Sequence, residues 1–304
     1  MSATRVLVTG ASGFAGRHLC AHLEASGDEV VVVDRRSDPP VDVTDRASVL
    51  AAFELARPGA VYHLAAYAHV GDSWSEPDRV TRVNVEGTVN VLDAATKVGA
   101  PRVLVVGSAA EYAGAASPGA IAEDAPIDPV TPYGASKAAA SAFARQAFLS
   151  TGLPTIRTRP FNHAGPGQLP TFLIPALAKR IARAEADGTD EIKVGSLEPV
   201  REVNDVRDVA RAYRLLMERG TPGDVYNVCS GRGYSVREIV ERLVAMATRP
   251  LRIVVDPELV RPVDVPSFVG DPTKLVAATG YEPRYSLDET LAAALDEARV
   301  AART

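Results

Sequence analysis

Short strand-like runs with apolar, β-branched centres at residues 5–9, 29–34, 60–64 and 102–106, and a further strand at 155–159, alternate with Ala-rich helical stretches at 16–26, 48–57, 78–98 and 133–150. A strand whose centre is apolar on both sides has no face for water. Strands of this kind separated by helices require a parallel sheet covered on both sides. The expected fold class is therefore α/β, with a doubly wound parallel sheet. After residue 160 the rhythm changes. A Gly/Pro/Asn loop at 161–170 precedes a helix at 171–186, and a short strand is expected at 192–194. Helices at 205–219, 235–247 and 287–302, a strand at 225–228 and a Pro/Asp-rich loop at 257–272 complete the reading.

The 304 residues suit about two domains at ~150 residues each. Composition is that of an ordinary globular protein, with 46% hydrophobic and 23% charged residues. Thirty-three basic and 38 acidic side chains leave a formal charge of −5, which argues against a broad nucleic-acid surface or an anionic-membrane partner. No apolar run reaches the ~20 residues that span a bilayer. The first residues have no signal-peptide layout, and two cysteines, Cys20 and Cys229, are too few for a disulfide framework. A reducing cytoplasmic setting is expected.

Gly10, Gly13 and Gly16 form a Gly-x-x-Gly-x-x-Gly turn between the first strand and the first helix. Glycines there let the backbone turn tightly against a pyrophosphate, and the helix start offers free N–H groups and its positive dipole end. Ser12, Phe14 and Ala15 belong to the same turn. Asp34 lies 18 residues beyond Gly16 at the end of the second strand, where a carboxylate accepts hydrogen bonds from an adenosine ribose. Its charge favours NAD(H), whereas Arg35 and Arg36 suit the 2′-phosphate of NADP(H). The two cues conflict, and Asp34 is given the greater weight. Asp42 and Val43 are candidate adenine contacts. These signals make the sheet a Rossmann-type dinucleotide-binding domain over residues 1–160, with part of 199–228 returning to it. Residues 161–304 are expected to form mainly a smaller α/β substrate-binding lobe.

Ser108 follows the fourth strand, and Thr131-Pro132 opens the helix that carries Tyr133 and Lys137. Residues i and i+4 share one helical face. An ammonium there is expected to lower the phenol's pKa, so that Tyr133 can pass a proton near neutral pH. Ser108, at a strand's carboxyl end, is placed to hold a substrate oxygen.

With these motifs, His63-Leu64-Ala65-Ala66 and Asn84-x-x-Gly87, the chain resembles the extended short-chain dehydrogenase/reductases that act on nucleotide sugars. The resemblance covers essentially the whole chain. It implies that Leu64, Ala65, Ala66 and Pro160 line the cofactor groove and that Lys137 also binds the nicotinamide ribose. Asn84 would be a proton-relay or helix-shaping residue. Residues 159–168, 192–201, 204–210, 226–231 and 261–274 resemble the branch of GDP-mannose 4,6-dehydratases and GDP-6-deoxy-4-keto-mannose reductases, nearer the reductases. Within them Arg201 and Arg261 suit a diphosphate, Asp264 a ribose diol or guanine edge, and Asn162 a sugar or phosphate oxygen. Ala109, beside Ser108, is a further candidate substrate contact.

The related dehydratases carry an acid two residues after their Ser/Thr, to expel the sugar's 6-hydroxyl. Here Ala110 stands at that place, with Glu111 one residue later and Ala113 where the family usually has Gly. The expected activity is reduction of the 4-keto group of GDP-4-dehydro-6-deoxy-D-mannose to GDP-6-deoxy-D-mannose (GDP-D-rhamnose). The alternatives are a 4-epimerase or dehydratase of the same family, or a non-catalytic nucleotide-sensing protein on the same fold. No metal is expected, because the five His form no ligand motif with acids or Cys. Trp74 is expected to anchor its loop by packing. A homodimer is expected, because family members commonly pair the helices near 85–98 and 133–150.

Overall fold

A computed structural model describes residues 4–115, 119–260 and 266–303. Its elements in chain order are β1 (Arg5–Thr9), α1 (Phe14–Ala25), β2 (Glu29–Val33), α2 (Arg46–Ala56), β3 (Ala60–His63), α3 (Pro77–Thr81) and α4 (Gly87–Lys97). Next come β4 (Val103–Val106), α5 (Pro132–Thr151), β5 (Thr155–Pro160), β6 (His163–Ala164), α6 (Leu173–Asp187), β7 (Glu191–Val194), β8 (Val200–Glu202) and β9 (Asn204–Asp205). The remainder is α7 (Val206–Arg219), β10 (Val225–Val228), β11 (Gly233–Ser235), α8 (Val236–Ala245), β12 (Arg252–Val255), β13 (Ser267–Phe268), α9 (Thr273–Thr279) and α10 (Leu287–Ala302).

The main sheet is parallel throughout, in the order β10-β5-β4-β3-β1-β2. The central positions of β1, β3 and β4 are apolar on both faces because both faces are covered. Val6 and Val8 point to one face, with Leu19, Leu23, Tyr213 and Leu216 of α1 and α7. Leu7 points to the other, with Val49, Phe53, Val91 and Ala144 of α2, α4 and α5. Burying a side chain such as Leu or Val contributes roughly 1.5–3 kcal/mol, so one inserted residue in β1 would expose this set and break the layer. A second core gathers α6, α8 and α10 around β7 and β12, through Ile181, Ile192, Val194, Ile239 and Leu291. No helix among the described residues is long and apolar enough to cross a membrane.

The chain departs from its sequence reading in several places: the expected loop 161–170 holds the short β6, and β12 and α9 are additional elements. The stretch 78–98 is not one α-helix but α3, a π-helical turn over Arg82–Glu86, and α4. Such turns are often functional features, and this one carries the buried Asn84. The expected loop 257–272 contains β13, which pairs with β8, and Gly270 bridges to Ile121. Trp74 anchors nothing: it is 65% exposed, and the buried residue of its turn is Ser73.

Candidate active site

The turn after β1 closes through Gly13 N–H donating to the Gly10 carbonyl at 3.0 Å. Gly10 has φ +70°, and a Cβ there would lie 2.7 Å from the Ala65 backbone nitrogen. A Cβ at Gly16 would lie 2.2 Å from the Gly10 carbonyl oxygen. Only glycine lets these three segments meet, and the open helix start is the cradle a pyrophosphate requires. The residues present therefore fit a dinucleotide. Asp34 follows β2, and its two carboxylate oxygens accept from Ser12 N–H and Arg36 N–H, each at 2.7 Å. Burial alone would raise this carboxyl, but the Arg36 and Ser12 amides outweigh it and hold it below the usual range. A recess of about 290 Å³ beside it is lined by Ala11, Ser12, Arg17, Cys20, Asp34 and Arg36. Arg35 and Arg36 are exposed.

Leu64, Ala65 and Ala66 are half-buried beyond β3, next to Gly10. Asp42 is exposed and accepts from Thr44 N–H at 2.9 Å, while Val43 is buried against Gly87. Pro160 ends β5 and is buried. Ala15 opens α1, and Phe14 stacks on His163 with ring centroids 5.9 Å apart.

Helix α5 begins as its sequence predicts. Thr131 accepts from Gly134 N–H at 3.0 Å, and Pro132 occupies the first turn. Gly134 lets the helix press onto the Ser108 turn, since a Cβ there would be 2.6 Å from the Ala110 carbonyl oxygen. That contact sets Tyr133 beside Ser108, close enough for the serine side chain to act on the phenol's ionisation. One turn on, the Lys137 ammonium donates to the Val106 carbonyl at 2.7 Å. Ser108, Tyr133 and Lys137 thus converge at the carboxyl end of β4. Burial pushes Lys137 down to about 8, against the pull of Glu111. Burial also dominates at Tyr133 and raises it, while the neighbouring Ser108 hydroxyl works the other way. The expected lowering of the phenol by Lys137 is therefore not what governs Tyr133. The ammonium is turned to a main-chain carbonyl instead.

A buried relay supports the groove from behind. Ala65 N–H donates to Thr9 Oγ1 (3.2 Å), which contacts His63 Nδ1 (2.7 Å). His63 Nε2 contacts Thr88 Oγ1 (2.9 Å), and Thr88 donates to the Asn84 carbonyl (2.6 Å). The donors fix the ring as a neutral imidazole with its proton on Nε2. Burial, then the Lys137 charge, pushes His63 down to about 3, in agreement with that assignment. The Asn84 side chain accepts from Tyr67 N–H at 2.7 Å and donates to Ser136 Oγ at 2.9 Å. Here it shapes the π turn and ties it to α5.

The second half contributes less visibly. Asn162 is exposed, and its carbonyl accepts from Asn204 N–H at 2.9 Å. Arg201 lies on β8, the middle strand of β11-β8-β13, and donates to the Val200 carbonyl. Arg261 and Asp264 lie outside the described residues. Among the described residues no group of three or more His, Cys, Asp or Glu side chains could hold a metal ion.

Residues 7–294 match the family model described as GDP-mannose 4,6 dehydratase. The chain belongs to that family. Among curated members it is 34% identical over 300 residues to a GDP-6-deoxy-D-mannose reductase of Pseudomonas aeruginosa, with 96% of each chain covered. Among solved structures it is similar to RMD from Pseudomonas aeruginosa complexed with NADPH, with TM-score 0.88, 34% identity, and 98% and 99% of the two chains covered. It is also similar to a Thermus thermophilus UDP-glucose 4-epimerase in complex with NAD, with TM-score 0.85, 30% identity, and 97% and 99% covered. Chains so alike in fold carry different nucleotide-sugar chemistries, so the reaction must be read from the site.

For a chain of the GDP-mannose 4,6 dehydratase family, the turn after Ser108 is the telling part. Ala109 is buried, and Ala110, half-buried, donates its N–H to Ser108 Oγ at 3.1 Å. Glu111 does not replace the absent acid. Its carboxylate is fully buried, accepts from Ser108 N–H at 3.0 Å and pairs with Arg159 Nε at 2.8 Å. The one-residue offset turns it inward, onto Arg159 of β5. The sequence offered Glu111 as a neighbour of Ser108 but gave no sign of Arg159 as its partner, because that contact spans 48 residues.

Proposed function

We propose that this chain reduces the 4-keto group of GDP-4-dehydro-6-deoxy-D-mannose to GDP-6-deoxy-D-mannose. The carrying observation is the convergence of Ser108, Tyr133 and Lys137 on a turn whose only carboxylate is locked to Arg159. That set can protonate a carbonyl oxygen but has no acid for expelling a hydroxyl.

A bound nicotinamide cofactor supplies the hydride that adds to sugar C4. Gly10 to Gly16 would hold its pyrophosphate, and Asp34, Arg35 and Arg36 its adenosine ribose. Asp42, Val43 and Leu64 to Ala66 would flank the adenine side of the groove, and Pro160 the nicotinamide side. Ser108 donates a hydrogen bond to O4 and fixes the carbonyl against the phenol. Tyr133 gives its proton to O4 as the alkoxide forms, so the carbonyl becomes a hydroxyl with atoms and charge balanced. Burial keeps the phenol protonated at neutral pH, the form a proton donor needs. The Lys137 ammonium binds the nicotinamide ribose. Asn162, Arg201, Arg261 and Asp264 would bind the GDP-sugar, within a lobe formed mainly by residues 161–304. Offering GDP- and dTDP-linked 4-keto-6-deoxy sugars tests the base: turnover confined to the dTDP sugar would overturn the assignment.

NADH is expected to be preferred modestly. Asp34, held below the usual range, meets a 2′-phosphate with like charge, and Arg17 and Arg36 along the same recess soften the penalty. Comparing kcat/KM for the two cofactors checks this. A ratio of about tenfold (~1.4 kcal/mol) or more in favour of NADPH would mean that the arginines govern the recess.

A homodimer is the proposed assembly. Helices α4 and α5 pack together and turn Val89, Phe143 and Leu149 to the outside. A second copy applied to that face would make four helices, with the alanines of α5 permitting close approach. Sedimentation at micromolar concentration should give a dimer, and a monomer would contradict it.

A further inference from the structure

We propose that Glu111 is a positioning residue: locked against Arg159, its carboxylate fixes the turn that carries Ser108 and places a buried negative charge beside Tyr133 and Lys137. The inference rests on the reading of those residues as the proton-transfer set.

The geometry is specific. Gly107 leaves the space the carboxylate fills, since a Cβ there would stand 2.3 Å from Glu111 Oε1. The same oxygen accepts the Ser108 amide at 3.0 Å, so the carboxylate and the turn share one bond. Glu111 Oε2 takes Arg159 Nε at 2.8 Å, and Arg159 Nη1 continues to the Tyr112 hydroxyl at 2.6 Å. Tyr112 then donates to Asn227 Oδ1 at 3.0 Å, which ties the turn to β10. A buried ion pair is weak evidence for stability, and an apolar pair could fill the same volume. What an apolar pair could not supply is charge.

The charged and titratable groups around Glu111 are identifiable. Arg157 and Arg159 face it from β5, Tyr112 from its own turn, and Tyr133 and Lys137 from α5. Glu123 lies beyond Arg159 and Tyr112, and His63 beyond Lys137. Glu111 pulls both Lys137 and Tyr133 upward, against burial at Lys137 and with it at Tyr133. Both pulls favour the protonated forms that proton donation and ribose binding require.

The test measures Lys137 ionisation without any sugar. Competitive acetylation across pH, read at Lys137 by peptide mass mapping, gives its midpoint, and the other four lysines (Lys97, Lys179, Lys193 and Lys274) serve as controls. Glu111→Gln keeps an acceptor for the Ser108 amide and removes the charge. Its Lys137 midpoint should move to acid by about one pH unit, and the alkaline limb of turnover should move with it. Arg159→Gln exposes the anion instead and should move the midpoint to alkali. A midpoint that stays at the wild-type value in every variant that folds would overturn the proposal, and so would failure of both variants to fold, which would make the pair purely structural. Because the labelling needs no substrate, a wild-type protein inert towards the keto sugar would remove the proposed function and leave this result standing.

Discussion

Tyr133→Phe should lower turnover of the 4-keto sugar by ~10²–10⁴-fold while cofactor affinity stays near that of the wild type. Phe retains the ring that packs behind the Ser108 turn and removes only the proton. Ser108 cannot take over, because an aliphatic hydroxyl is far too weak an acid at neutral pH. Lys137 is turned to the Val106 carbonyl at 2.7 Å, and Glu111 is closed off by Arg159 at 2.8 Å. Among Ser108, Lys137, Glu111 and Tyr133, the phenol is therefore the acid left to donate. Steady-state kinetics with a fluorescence titration of NADH separates the two effects. A variant within a few-fold of wild-type kcat would take Tyr133 out of its assigned role.

The second large effect is an absence. GDP-mannose incubated with the protein and NAD(P)⁺ should yield no steady production of the 4-keto-6-deoxy sugar. Dehydration needs a group that protonates the departing 6-hydroxyl, since hydroxide leaves poorly near neutral pH. Losing a well-placed acid typically costs ~10²–10⁴-fold in rate. Ala110 occupies the acid's place and carries no proton. Glu111 would have to abandon both Arg159 and the Ser108 amide to reach it, and breaking one partner away from a buried ion pair costs roughly 3–5 kcal/mol. Multiple turnover, followed by the alkaline absorbance of the product, would reverse the assignment to a dehydratase.

The parts of this molecule that were legible in the sequence are those governed by local rules. Strands β1 to β4 could be read because burial on both faces forces apolar centres, and the Gly10 to Gly16 turn because only glycine tolerates approaches of 2.2 and 2.7 Å. Tyr133 and Lys137 follow from helical spacing after the Thr131-Pro132 start. What escaped was set by contacts distant in sequence. The inward turn of Glu111 depends on Arg159, which arrives on the next strand. The ionisation of Tyr133 depends on burial, which no i, i+4 rule supplies. The π turn at Asn84 depends on Tyr67 and Ser136, 17 and 52 residues away. Strand β13 exists because β8 is there to pair with, although its Pro/Asp-rich surroundings read as loop. Trp74 misled for the opposite reason: a large aromatic in a loop is usually buried, and this one faces solvent.

The most direct measurement supplies GDP-4-dehydro-6-deoxy-D-mannose with NADH or NADPH and identifies the product by NMR. One equivalent of reduced cofactor should be consumed per sugar, with a single GDP-6-deoxyhexose of manno configuration at C4 as product. No reduction, or a product formed without net consumption of reduced cofactor, as an epimerase would give, would contradict the proposed reduction.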